Sequence, residues 1–203
     1  MKKTLAIVLF VAECVTAMAQ SGYRGIVLNA NVGMSSYDAN SAISMFSSTE
    51  RISTVSGTAI TIGYRNDCRM YGARVGFNIL TVAHGSLEEV INPYEFLLLM
   101  RRYLPLSDKF ELYTGISVGF AMVFNAFEYQ GVQYSYTRYG VSEDFEVGIG
   151  YRLSGASSIG LHAAVSPLRS LFKDSAKLPD GLTGNGNNAY GGYSVLIQYS
   201  LGF

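Results

Sequence analysis

The thirteen residues from Gly191 to Phe203 alternate without a break between apolar and small or polar side chains. In an extended chain Tyr193, Val195, Ile197, Tyr199, Leu201 and Phe203 share one face. Gly192, Ser194, Gln198, Ser200 and Gly202 share the other, where Leu196 is the apolar exception. A strand with one greasy face and one compact polar face suits the wall of a closed barrel in lipid. Hydrocarbon offers no partner to an unpaired N–H or C=O, and closure removes the sheet edge. Tyr199, Leu201 and the terminal Phe203 read as a barrel-assembly signal, which implies barrel-assembly machinery as a partner.

The amino terminus carries a matching address. Lys2 and Lys3 precede an apolar stretch from Leu5 to Ala12, and Ala17-Met18-Ala19 supplies small residues for cleavage before Gln20. Residues 1–19 are thus expected to be a signal peptide and 20–203 a single barrel domain. A lipoprotein reading at Cys14 is disfavoured, since Glu13 stands where a small residue is needed. Cleavage would take Lys2, Lys3 and Glu13 from a chain with 15 basic and 15 acidic residues, so the mature chain is nearly neutral and nucleic acid is not an expected partner. Cys68 would be left without a second cysteine, as a small residue near a turn. No apolar run approaches the length of a spanning helix, so membrane crossing must use strands.

Period-two reading gives eight strands, near 25–36, 57–66, 69–81, 93–104, 110–125, 141–153, 158–166 and 191–203. The fourth is apolar at every step from Phe96 to Met100. Its register rests on Glu95 and Arg101, which share parity and are placed inward, while Tyr94, Phe96, Leu98 and Met100 go to lipid and Arg102 to headgroup level. Residues 37–56, 82–92, 126–140 and 167–189 read as long connections, and the reversals near 67, 106 and 155 as short ones. That alternation fits an all-β, eight-stranded, antiparallel up-and-down transmembrane β-barrel in the bacterial outer membrane, with both termini periplasmic. A soluble barrel would carry Lys, Glu and Thr on its wet face. Here the non-greasy face is mostly Gly, Ser, Ala and Asn, which suits a narrow lumen.

The Tyr113-x-Gly115 and Gly148-x-Gly150-Tyr151 strand patterns, with the Ala19/Gln20 junction and Phe203, make the chain similar to the small outer-membrane β-barrel proteins of the porin-like family of Bacteroidota, with an architecture like OmpX and the OmpA barrel. The resemblance covers the whole mature chain. It implies location and fold; the family has no shared catalytic set to transfer.

Inward parity collects Arg65, Arg74, Glu95, Arg101, Glu111, Asp144, Glu146, Arg152 and His162 in one narrow tube. Charges there are costly unless paired, so a salt-bridged plug is favoured over a selectivity ring or gate. The threading direction puts Arg65, Arg101, Glu111 and Arg152 toward the periplasmic end, and Arg74, Glu95, Asp144 and Glu146 farther along. His162 and Ser166 stand roughly 13 Å apart along one strand, too far for proton transfer, and a lipid A deacylase His-x-Ser is missing from His162-Ala163-Ala164. His162 is expected to be a buried structural residue and His84 a solvated loop residue. Two histidines and a cysteine build no zinc site. Asp174, Asp180, Asn185, Asn187 and Asn188 share a loop but lack EF-hand spacing. Phe127, Tyr129, Tyr134, Tyr136 and Tyr139 form either an aromatic girdle or a loop contact surface for an extracellular ligand. No cofactor is expected. The reading is a non-catalytic barrel with a structural or surface-contact role among outer-membrane lipids. The alternative is a narrow channel for small solutes or ions, and a lipid A-modifying enzyme ranks third.

Overall fold

Alternation becomes an antiparallel meander in the computed structural model, which describes residues 24–37, 44–46, 52–172, 178–182, 184 and 189–203. The signal-peptide segment 1–19 with Cys14, and the loop residues Asp174, Asn185, Asn187 and Asn188, lie outside the described residues. The strands are β1 (Arg24–Tyr37), β2 (Ile52–Asn66), β3 (Arg69–Asn78), β4 (Leu80–His84), β5 (Leu87–Pro105), β6 (Phe110–Tyr129), β7 (Val132–Arg152), β8 (Ser157–Leu171) and β9 (Ala189–Gly202). Neighbours in the chain pair with one another, β9 returns to β1, and β3 pairs with β5. The result is a closed ring of eight hydrogen-bonded strands, the all-β up-and-down barrel expected, in which β4 continues the line of β3.

The break between β3 and β4 has a chemical cause. The register runs unshifted from Phe77↔Tyr94 to Leu80↔Ile91, which sets Asn78 opposite Pro93. Proline has no N–H to give the ladder, so pairing lapses for two positions and resumes.

Two of the four expected long connections are strand. Residues 82–92 are crossed by β4 and β5 with only Gly85 and Ser86 between them, Gly85 at φ +68°. Residues 126–140 belong to β6 and β7 around Gln130-Gly131, whose φ values of 53° and 75° fit the two-residue hairpin turn that matches strand twist. β5, β6 and β7 therefore reach 19, 20 and 21 residues, about twice the 9–11 tilted residues that cross a hydrocarbon core. They stand above the wall at the end carrying the 38–51 and 172–188 connections, here the loop end. The opposite turn end carries the reversals at Asp67-Cys68, Leu106–Lys109 and Leu153–Ala156, together with Arg24 and Phe203.

The wall sorts by parity. Ile26, Ile60, Leu98, Ile116, Phe145, Leu161 and Ile197 point outward and exposed, whereas Val27, Leu97, Leu99 and Tyr113 point inward and buried. Leu98 is 70% exposed between neighbours at 2% and 4%, which fixes the register of the strand that is apolar at every step. Tyr199 and Phe203 lie on the outer face, and Leu201 is half-buried between them.

Candidate functional site: the packed lumen and its cap

From the turn end upward, the lumen alternates ionic and apolar layers. In the first, Arg65 donates through both Nη atoms to Glu111, at 3.0 and 2.8 Å, and Arg152 Nη2 stands 3.7 Å from the same carboxylate. The Arg65 guanidinium also lies 3.8 Å over the Tyr103 ring. On the rim outside this layer, Arg24 donates to Asp67 at 2.9 Å, and those hydrogen bonds hold the Asp67 carboxyl below the usual carboxylate range. Above Arg65 sits an apolar layer of Val27, Met70, Leu99, Tyr103 and Tyr113.

The central layer is ionic. Glu146 accepts from Arg74 Nη1 at 2.8 Å, Arg101 Nε at 2.7 Å and Ser117 Oγ at 3.0 Å. Arg101 reaches Gln198 Oε1 at 3.2 Å, Tyr113 Oη donates to that oxygen at 3.0 Å, and His162 Nδ1 is 2.9 Å from the same hydroxyl. Arg101 is thus a central residue, not a turn-end one, because its guanidinium is held by Glu146 and Gln198. Arg74 bridges onward to Asp144, which also accepts from Ser166 and from Arg169 Nη2 at 2.7 Å. Arg169 also pairs with Glu95 at 3.0 Å, and Ser142 donates to Glu95 at 3.1 Å. Every one of these carboxylates is held by at least one guanidinium, the condition under which charges persist in a dry interior.

Tyr37, Leu80, Val82, Ile91, Ala121, Val123 and Leu171 form the next apolar layer. Beyond it Glu89, fully buried, accepts from Asn125 Nδ2 at 2.7 Å, the Met45 backbone N–H at 2.8 Å and Ser44 Oγ at 2.5 Å. Arg138 donates to Asn125 Oδ1 from Nε and Nη2 at 3.2 and 3.1 Å. His84 Nε2 lies 3.2 Å from both Ser44 Oγ and Glu89 Oε2. Serine, histidine and carboxylate meet here, but not as a hydrolase relay. Both oxygens address the same ring nitrogen, and the serine proton is directed to the carboxylate. His84 is consequently a half-buried strand residue and not a solvated loop residue, since the connection expected around it is a hairpin.

An aromatic cap ends the stack. Met45, Phe46 and Phe127 are buried together, with Leu87, Tyr129, Tyr134, Tyr136, Leu178 and Leu182 packed around them. Phe127 stacks on Tyr134 and Tyr136, with ring centres 5.5 and 5.9 Å away, and meets Phe46 edge-on at 4.9 Å. Phe46 pairs with Gly184, so segments from two loops close over the hairpins. The five aromatics read together from sequence therefore separate. Phe127, Tyr129, Tyr134 and Tyr136 continue the inward parity above the wall and form the cap, while Tyr139 points outward and stacks on Phe120.

Three charged groups in this network were not singled out from sequence. Glu89 and Arg138 carry inward parity but fall in stretches expected to be loops. Arg169 falls beyond a break in the β8–β9 register between Ser166 and Arg169, which turns both residues inward although three positions separate them. Pro167 within that interval was the available signal, because a proline in a strand marks a bulge or an edge.

Two cavities lined by the described lumen residues are small. One of about 40 Å³ lies among Ser35, Asn78, Arg74, Glu95, Asp144 and Arg169, and another of about 40 Å³ lies near Arg65, Glu111 and Arg152. Each has room for water and no larger solute.

No protein-family model matches the sequence, and no curated protein is significantly similar to it. Solved structures are similar in fold. The Neisserial surface protein A superposes with a TM-score of 0.60 at 10% identity, over 88% of this chain and 97% of that one. Ail, the attachment invasion locus protein of Yersinia pestis, gives 0.55 at 11% identity, over 88% of this chain and 100% of its own. The outer membrane protein OprG from Pseudomonas aeruginosa gives 0.50 at 15% identity, over 90% and 98%. The chain shares the fold of small outer-membrane β-barrels.

Proposed function

We propose that this chain is an integral outer-membrane barrel without catalytic activity, its turn end toward the periplasm and its capped loop end outside. It is exported through its amino-terminal segment, assembled by barrel-assembly machinery and surrounded by outer-membrane lipid. A place in the porin-like family of Bacteroidota is part of this proposal, supported by the Tyr113-x-Gly115 and Gly148-x-Gly150-Tyr151 strand patterns. An outer wall of exposed Ile, Leu, Val and Phe supports the membrane reading, since water would not tolerate so continuous an apolar belt.

The observation that carries the role is the closed lumen. Arg74, Arg101 and Arg169 interlock with Glu95, Asp144 and Glu146 across the bore, and the cavities beside them are water-sized. A barrel filled in this way acts through its wall and its outer end, as an envelope component that presents an ordered surface. Ail has been crystallised with the heparin analogue sucrose octasulfate, and the described residues of the loop end do not by themselves form a site for such an anion. Among the described residues, Glu88 and Glu128 are exposed there while Arg138 and Arg169 are buried in hydrogen bonds. Planar-bilayer recording tests the closed lumen: the refolded protein is expected to give no discrete openings. Reproducible steps that change with Arg101→Ala or Glu111→Ala would replace this reading with the narrow channel.

A further inference from the structure

One row of the outer wall near the turn end is polar. Cross-strand register puts Arg69 of β3 opposite Arg102 of β5, and Arg102 opposite Thr114 of β6, all three with outward parity. The next row toward the middle of the barrel is Tyr71, Met100, Ile116 and Phe145, again direct partners in sequence across four strands. The two rows line a single groove of about 610 Å³.

Two guanidiniums placed as direct cross-strand neighbours repel, and β-sheets avoid like charges in that relation. On this wall the repulsion has no described carboxylate to relieve it at Arg69, which makes no ion pair among the described residues. A second outer-wall groove, of about 330 Å³, is lined by Phe110, Ile149, Tyr151, Ile159, Leu161 and Ile197 and carries no charge. That one is what a plain acyl chain requires. The groove under Arg69 and Arg102 adds a dication at the depth where the hydrocarbon gives way to headgroups, with the Thr114 hydroxyl beside it.

We propose that this groove is a binding site for a phospholipid of the membrane leaflet at the turn end, its phosphate held between Arg69 and Arg102 and one acyl chain laid along Tyr71, Met100, Ile116 and Phe145. Guanidinium presents paired N–H donors to phosphate oxygens, and the anion converts the Arg69/Arg102 repulsion into a bridge. The site rests on the membrane reading above.

Native mass spectrometry of the refolded barrel in an uncharged detergent tests it, with equal additions of phosphatidylglycerol and of diacylglycerol, which has the same chains and no phosphate. Wild type is expected to keep a phosphatidylglycerol adduct under conditions that strip diacylglycerol. Arg69→Gln with Arg102→Gln is expected to lower retention by about tenfold or more, while Lys109→Gln leaves it unchanged. Excess inorganic phosphate should not displace the adduct, because the apolar row holds the tail; displacement would assign the arginines to a free anion and overturn the lipid. Equal retention of both lipids by wild type would overturn it too, and needs no variant to fold. So would undiminished retention by the double variant. Failure of wild type to partition into vesicles would instead remove the membrane reading itself.

Discussion

Tyr113 lies across the lumen against Gly148, its register partner on β7, so closely that a Cβ on Gly148 would stand 2.2 Å from Tyr113 Cζ. The glycine is what lets the ring lie there, with its hydroxyl on Gln198 and beside His162 and with Arg101 4.8 Å over its face. Gly148→Ala should cost about 1–3 kcal/mol through overpacking, read as a lower urea midpoint for the folded, heat-modifiable form. Tyr113→Leu in the same chain should recover part of that loss by vacating the space. Unaltered unfolding of Gly148→Ala would mean that the ring is not seated there.

Glu146 is the hub between two arginines. Glu146→Gln leaves Arg74 its pair with Asp144 but leaves Arg101 only neutral acceptors, the introduced amide and Gln198, and removal of one partner from a buried ion pair costs about 3–5 kcal/mol. Replacing the hub and its innermost partner together, Glu146→Leu with Arg101→Met, removes the stranded charge and should cost clearly less than Glu146→Gln alone. A double-variant cycle by urea unfolding in vesicles checks the order. Equal losses would mean that water, not Arg101, satisfies the carboxylate.

The wall was legible in the sequence because a two-residue period survives in every strand that crosses it. Parity alone placed Arg74, Glu95, Arg101, Glu111, Asp144 and Glu146 inside, and the structure buries all six. Composition misled where β5, β6 and β7 outrun the rest of the wall. Tyr134, Tyr136 and Glu89 sit among polar and turn-forming residues that resemble loop, yet they alternate as strand. Arg169 falls in the expected 167–189 connection, and parity carried on from Ser166 would face it outward, since one bulge reverses every face beyond it. Pairing across the bore was not legible at all. Arg74 lies 72 positions from Glu146, and only the closure of the ring brings them together.

The exposed counterpart of these pairs should matter little. Arg24 and Asp67 are open to solvent, and exposed pairs contribute little because water screens them and both side chains lose freedom. The Asp67 pKa is lowered in the folded protein, so any stabilisation is present above the unfolded-state pKa and fades as pH falls through the folded one. Asp67→Asn should leave the thermal midpoint at neutral pH unchanged. Asp67→Val should lower it, since Asp67 sits at φ +51°, which Asn tolerates and a β-branched residue does not. Equal midpoints for the two variants would show that the turn relaxes to another geometry.

Glu89 ties the cap to the barrel. Its two oxygens serve donors from different sources: Ser44 Oγ and the Met45 N–H come from the 44–46 segment, and Asn125 Nδ2 comes from β6. Gln in its place keeps one oxygen for Met45 and Asn125 and turns the position facing Ser44 into a donor, which takes away the acceptor of the serine proton. A buried donor left without an acceptor costs about 1–3 kcal/mol, and the cheapest relief is release of the short segment while β6 stays in its ladder. Glu89→Gln should therefore raise chymotrypsin cleavage after Phe46 by about tenfold, the equivalent of 1.4 kcal/mol, with the urea midpoint of the barrel nearly unchanged. Ser44→Ala removes the hydroxyl that donates to Glu89 and accepts the Phe46 N–H, and should raise cleavage as well. Should cleavage after Phe46 be the same in Glu89→Gln and wild type, the cap must be held by Phe127 and the aromatic packing around it, with the carboxylate contributing nothing to its closure.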